Sequence, residues 1–314
     1  MYGFESCGTG EIDQAAKAAN LAFQQYRNMD AKTIGSFLNT IASEIEALGD
    51  QLLEVCDSET ALGQARLIGE RGRTCGQLRA FADLVIKGEW VQASIDTAIP
   101  DRTPVPKPDL RRMMIGIGPV VVFGASNFPF AFSTLGGDTA SALAAGNPVI
   151  VKGHPAHPAT SELFAHAIDT AIEKSGVPHG VFSLLQGQGN ELGTGLVKHP
   201  LVQAVGFTGS ERGGRALMDI AAARPQPIPV YAEMGSINPL FVGPRTLQAQ
   251  AESIAAGLSG SVCMGTGQFC TSPGIVVSVA SEVFETTLKT KLSEAPRGYL
   301  LNPQIAASLQ AGLE

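Results

Sequence analysis

The sequence has 314 residues, 44% of them hydrophobic and 16% charged, with a net charge of −7; that is chain enough for two domains and apolar enough to bury their cores, which excludes a disordered protein. The acidic balance excludes the basic stripe that nucleic-acid binding requires. No apolar run reaches the roughly 18 residues that cross a membrane, because the longest, residues 113–124, is broken by Gly116, Gly118 and Pro119.

Residues 11–90 read as helices. Ala15, Ala18, Ala19, Ala22, Phe23 and Tyr26 recur at helical spacing, as do Phe37, Leu38, Ile41, Ile45 and Leu48, and a third helix is predicted over about residues 73–87. Pro100, Pro104, Pro106 and Pro108 forbid a helix over 97–112 and favour an extended crossing segment. From residue 113 the rhythm becomes strand, turn, helix. Strands are predicted at 120–123, 149–151, 181–185, 204–207 and 228–231, with helices at 139–145, 161–174 and 213–222. Runs that are apolar at every position suit a parallel sheet covered on both faces. The predicted fold is therefore α/β, a doubly wound parallel sheet. After residue 233 the pattern restarts, with strands at 239–242 and 275–279 around a helix at 247–260. This divides the chain into an N-terminal helical and sheet domain, 1–232, and the start of a second α/β domain, 233–314, which the chain leaves before it could close.

Cys7, Cys56, Cys75, Cys263 and Cys270 are scattered, odd in number and form no C-x-x-C pair. A disulfide framework and a structural zinc site are not expected, no metal is predicted, and a reducing cytoplasm fits.

Four segments carry candidate chemistry: Gly124-Ala-Ser-Asn-Phe-Pro129, Phe207-Thr-Gly-Ser210, Glu233-Met-Gly235 and Gly267-Gln-Phe-Cys270. Singly, each has an ordinary reading: a turn, a helix entry with a serine N-cap, a solvated strand end, a small buried thiol. Together and in this order they resemble the aldehyde dehydrogenase superfamily over essentially the whole chain. The resemblance implies that Cys270 is the nucleophile and that Glu233 is the general base for thioester hydrolysis, wanting a raised pKa in a partly dry channel. It implies that the Asn127 side chain and the Cys270 N–H hold the oxyanion.

A G-x-G-x-x-G fingerprint is absent after the first strand. The resemblance instead places NAD or NADP against Gly209, Ser210 and Gly214, which open a helix whose amides face the pyrophosphate. Ser126 and Gly235 join this cofactor set, and Lys152 lies beside the adenosine ribose. Many NAD-specific relatives carry a carboxylate three residues after that lysine; here the position is Pro155. Nothing then repels a 2′-phosphate, so NADP+ is expected to be accepted at least as well as NAD+. His154 offers a further phosphate donor, against the plainer reading of a passive surface histidine between prolines.

Longer strings resemble one subgroup, the 2,5-dioxovalerate (α-ketoglutaric semialdehyde) dehydrogenases: Glu70-Arg-Gly-Arg-Thr74, residues 123–129, residues 136–146 and residues 229–239. The expected partner is a small aldehyde ending in a carboxylate. Arg73 is the candidate clamp for that carboxylate, against the plainer reading of a surface arginine paired with Glu70. Phe128, Phe130, Phe132 and Phe269 are candidate walls of the substrate tunnel, Phe269 above all, with core packing as the ordinary fate of a Phe. Full-length members continue past residue 314 with an E-x-F-G-P segment and the remaining strands, and form homo-oligomers. The alternatives are a non-catalytic dinucleotide-binding fragment, a dehydrogenase of another aldehyde (fatty or succinic semialdehyde), and a cysteine acyl-transfer enzyme with no redox step.

Overall fold

The computed structural model describes residues 6–313. Four helices come first: α1 (Thr9–Tyr26), α2 (Ala31–Ala47), α3 (Gly49–Thr60) and α4 (Gln64–Lys87). Asp30 caps α2 by accepting the Thr33 N–H, and Gly88, at φ 74°, ends α4 in the left-handed region that favours glycine. The helix expected from about residue 73 starts earlier, at Gln64. Its start is set by left-handed backbone at Ala61 and Gly63, which the Arg- and Gly-rich first turns of α4 concealed.

The proline-rich stretch does not cross the molecule as one extended segment. It turns back as a hairpin in which β1 (Ser94–Asp96) pairs antiparallel with β2 (Leu110–Arg112), with Ile99 bridged to Lys107. Prolines interrupt the ladder between these points but leave the N–H groups at both ends free to pair.

The central sheet is built from β3 (Val120–Phe123), β4 (Val149–Lys152), β5 (Phe182–Leu185), β6 (Ala204–Thr208) and β7 (Val230–Glu233). Its order is β5-β4-β3-β6-β7 and every pairing is parallel. β7 begins two residues later than expected, because Pro229 has no N–H to give the ladder and contributes only its carbonyl, to Val205. Helices α5 (Gly137–Ala144), α6 (Pro158–Ser175), α7 (Glu191–Lys198) and α8 (Glu211–Ala222) connect the strands. Two cores result. On one face Val122, Val149 and Val151 pack with residues of α2, α4, α5 and α6. On the other, Val121, Ile150 and Val205 pack with α1, α7 and α8. Adjacent residues of one strand thus enter opposite cores, the physical reason for the unbroken apolar runs. Helix α7 was not predicted: eight residues with two glycines are too short to show a period.

Beyond the sheet, β8 (Pro239–Phe241) pairs in parallel with β9 (Ile275–Val277) across α9 (Pro244–Cys263). With α10 (Glu282–Ser293), these elements enclose a separate small core of Val242, Leu247, Ala255, Leu258 and Phe284. Helix α11 (Pro303–Leu313) follows. Among the described residues no helix is long and apolar enough to cross a membrane.

Candidate active site

Parallel register decides where the functional segments meet. Phe123 sits opposite Lys152 on one side and Phe207 on the other, and Thr208 sits opposite Glu233. The loops after β3, β4, β6 and β7 therefore leave the sheet at one edge, where open α/β sheets bind ligands. Two adjoining hollows lie there. One, of about 930 Å³, is lined by Ser126, Asn127, Phe128, Phe132, Glu233, Gly235 and Cys270, with Ile305 and Leu309 of α11. The other, of about 710 Å³, is lined by Lys152, Pro155, Gly209, Ser210, Gly213 and Leu217. His154 and Arg212 line both.

The loop after β3 folds back on itself, with the Ala125 N–H donating to the Phe132 carbonyl at 2.8 Å. A side chain at Gly124 would lie 2.7 Å from the Ser133 Cα, so this reversal requires glycine. The ring of His157, fully buried, lies with Nε2 3.1 Å from the Ala125 carbonyl. The Asn127 side-chain amide donates to the Gln268 carbonyl at 2.7 Å, two residues before Cys270. One of its two hydrogens is used there and the second remains for another acceptor.

Cys270 is exposed. The chain reaches it through Gly265, Thr266 and Gly267, all at positive φ, a run that costs a residue with a Cβ about 1–2 kcal/mol. The Cys270 carbonyl accepts from the Asn238 side-chain amide at 2.6 Å and from the Ser236 hydroxyl. Both donors follow Glu233 in sequence, so the β7 exit loop and the cysteine segment are locked together.

Several expectations are corrected. Glu233 is exposed at the end of an edge strand whose alternate residues face solvent, so the described residues form no dry channel around it. Phe130 is fully buried against Phe164 in the core and is no tunnel wall. Phe269 does not line the cavity of Cys270; its ring meets Phe128 at 5.0 Å and an arginine, Arg66, at 4.7 Å. Phe128 and Phe132 supply the aromatic lining instead. Arg73 is exposed and lies over the Phe132 ring at 4.9 Å. It is not the partner of Glu70, which is 5% exposed, with one oxygen 3.6 Å from Arg66. Gly214 is buried behind the lining of the hollows, where a side chain would meet Met234 at 2.7 Å and the Phe207 ring at 3.2 Å; its neighbour Gly213 is the glycine that lines the second hollow.

His154 is not a surface histidine. Burial pushes its pKa down to about 3, and its ring stacks on His157 at 5.4 Å. Nδ1 accepts the Ala156 N–H, which leaves the proton on Nε2. A neutral ring offers a phosphate a hydrogen bond but no charge. The cations at the cleft are Lys152, whose pKa burial lowers, and Arg212, which lies in no motif that would mark it in the sequence. Above pH 6.5 His154 is neutral folded or unfolded; as pH falls below that, only the unfolded chain takes up the proton. Folding stability should therefore drop by about 2 kcal/mol between pH 7 and pH 5 on account of this ring. Urea midpoints at the two pH values should show His154→Gln losing that much less than the parent, and identical losses would remove the assignment.

The second hollow suits a dinucleotide in composition. Ser210 caps α8 by accepting the Gly213 N–H at 3.2 Å, the remaining first-turn amides sit at the positive end of the helix, and Ala216, Leu217 and Ile220 add an apolar wall.

Residues 1–307 match the profile of the aldehyde dehydrogenase family. The chain is 54% identical over 312 residues to alpha-ketoglutaric semialdehyde dehydrogenase 2 of Azospirillum brasilense, covering 98% of this chain and 59% of that protein. It is 48% identical over 316 residues to alpha-ketoglutaric semialdehyde dehydrogenase of Acinetobacter baylyi, covering 100% and 60%. The chain thus spans about three fifths of the length of these curated relatives. Among solved structures, an aldehyde dehydrogenase from Brucella melitensis biovar abortus 2308 superposes with a TM-score of 0.78 at 25% identity, over 95% of this chain and 58% of that one.

Proposed function

The chain belongs to the aldehyde dehydrogenase family, and from that premise we propose that its protein oxidises α-ketoglutaric semialdehyde (2,5-dioxopentanoate) to the dicarboxylate with NADP+ or NAD+. The observation that carries the reading is a single cavity lined by Cys270, Asn127 and Glu233, beside a cleft fit for a dinucleotide. The Cys270 thiolate adds to the aldehyde carbon, a C–S bond forms, and the carbonyl electron pair moves onto oxygen. The free hydrogen of the Asn127 amide and the Cys270 N–H, which has no acceptor among the described residues, stabilise that oxyanion. The oxyanion's electron pair then re-forms the C=O as the aldehyde hydrogen leaves with its bonding pair, leaving a thioester; a dinucleotide held in the adjoining cleft would accept that hydride. Water then adds to the Cys270 thioester, Glu233 takes its proton, and the C–S bond breaks to return the thiolate.

Arg73 stands at the rim of this cavity, over a ring that lines it, and is the proposed partner of the substrate carboxylate. Lys152, with Pro155 in place of a carboxylate, is the proposed reason that NADP+ is used, and Ser126, Gly209, Ser210 and Gly235 complete the cofactor set. The domain division at 232/233 is retained, supported by the separate core around Val242 and Leu258. A cytoplasmic homo-oligomer is part of the proposal, supported by exposed apolar residues on the β1–β2 hairpin such as Ile95 and Leu110.

Absorbance at 340 nm, with semialdehyde and either cofactor, tests the reading. NADP+ should turn over at least as fast as NAD+, and Arg73→Ala should raise KM for the semialdehyde far more than for hexanal. Negligible NADP+ turnover beside NAD+ overturns the cofactor assignment, and equal KM changes overturn the clamp. Cofactor binding without turnover favours the non-catalytic alternative.

A further inference from the structure

We propose that Arg66 and Glu70 are positioning residues that brace the Asn127 amide and the Cys270 segment against each other, an inference that rests on the oxidation reading above for its catalytic consequence. The two lie one turn apart on one face of α4; Arg66 belongs to no motif that pointed to chemistry, and Glu70 entered only as the first residue of a string resembling the subgroup and as a possible partner of Arg73. Arg66 reaches both segments that supply oxyanion donors. Its guanidinium donates to the Asn127 backbone carbonyl and packs against two rings that also touch each other, 4.8 Å from Phe128 and 4.7 Å from Phe269. Phe128 follows Asn127 and Phe269 precedes Cys270, so one planar group touches the neighbour of each donor. A side chain at Gly265 would come within 3.2 Å of the guanidinium, which shows how closely the cysteine segment approaches it.

Glu70 fixes the other end of the same loop. One carboxylate oxygen accepts the Phe130 N–H at 2.8 Å and the Ala131 N–H at 3.0 Å. Its second oxygen is buried with no hydrogen-bond partner among the described residues and lies 3.6 Å from Arg66. A carboxylate buried this deeply is costly unless its charge is met, and the arginine one turn away meets it. With His157 beside the Ala125 carbonyl, backbone groups at residues 125, 127, 130 and 131 are all held from outside the loop. The Asn127 side chain is then presented by a fixed frame, the condition under which an oxyanion donor is effective. Arg66 is also half-buried, its side chain 21% exposed, so loss of the guanidinium cannot be made good by bulk water alone.

The test uses the full chain and its Arg66→Met, Arg66→Lys and Glu70→Gln variants, with two readouts. In steady-state assays Arg66→Met should lower kcat by about 10- to 100-fold, with KM for aldehyde and cofactor within about threefold. Arg66→Lys, which keeps a donor and a charge but not the plane, should recover part of the loss. In hydrogen exchange, Arg66→Met and Glu70→Gln should speed exchange of the amides in 125–132, leaving those of β4 and α6 unchanged. Unchanged exchange in 125–132 overturns the brace whether or not the protein turns over aldehyde. Loss of activity with exchange raised throughout the sheet also overturns it, since that is general destabilisation. Faster exchange confined to the loop, with no turnover even in the parent, supports the brace and sinks the oxidation reading instead.

Discussion

Replacing Cys270 with alanine is expected to lower turnover by on the order of 10⁴-fold or more while leaving NADP+ binding intact, because among the described residues no other thiol lines the cavity. Two of the other four thiols are out of reach, while Cys7 and Cys263 are half-buried and are followed as separate peptides. Cys56 and Cys75 are buried, and burial pushes their pKa up to about 12 and about 11, so neither presents thiolate near neutrality. Cys270 is exposed at the mouth of the cavity. Brief iodoacetamide treatment followed by mass spectrometry should find it alkylated ahead of Cys56 and Cys75, with activity lost in step. A Cys270→Ala protein that retains a tenth of parental turnover would end the proposed mechanism.

Asn127→Ala is expected to lower kcat by about 10²- to 10³-fold, the usual cost of removing one oxyanion donor. Here the substitution has two consequences. It removes the hydrogen that faces the developing charge, and it removes the 2.7 Å bond to the Gln268 carbonyl that ties the β3 loop to the cysteine segment. Asn127→Asp separates the two. The tether needs a donor and a carboxylate has none, so aspartate should be at least as damaging as alanine, with charge repulsion of the oxyanion added. The Cys270 thiol should still alkylate in both variants, since its exposure does not depend on Asn127. If Asn127→Asp keeps near-parental kcat, the amide faces no oxyanion.

The five-stranded sheet was legible because each strand is short and mostly apolar, most are bounded by glycine or proline, and each intervening helix but α7 carries a periodic face. The strand ends Phe123, Lys152, Thr208 and Glu233 were therefore placed within two residues. What lies between elements was harder. The proline-rich stretch declared that it was not helical, but its return as a hairpin depends on pairing between Ile95 and Arg111, which no local signal encodes. The four phenylalanines illustrate the same limit. Phe128, Phe130, Phe132 and Phe269 look alike in a sequence, yet Phe130 turns into the core, Phe128 and Phe132 line the cavity, and Phe269 stacks outside it.

The amino-acid order by itself determined the α/β class, the parallel sheet and the thiol, amide and carboxylate segments, because hydrophobic period, turn residues and short motifs are properties of neighbouring residues. Tertiary structure alone decided that Arg66 rather than Arg73 faces Glu70, that His154 is half-buried and neutral, and that Glu233 stands in solvent. Those outcomes depend on residues tens of positions apart. Contact between them follows from how helices and strands pack, and burial and charge pairing exist only once that packing is complete.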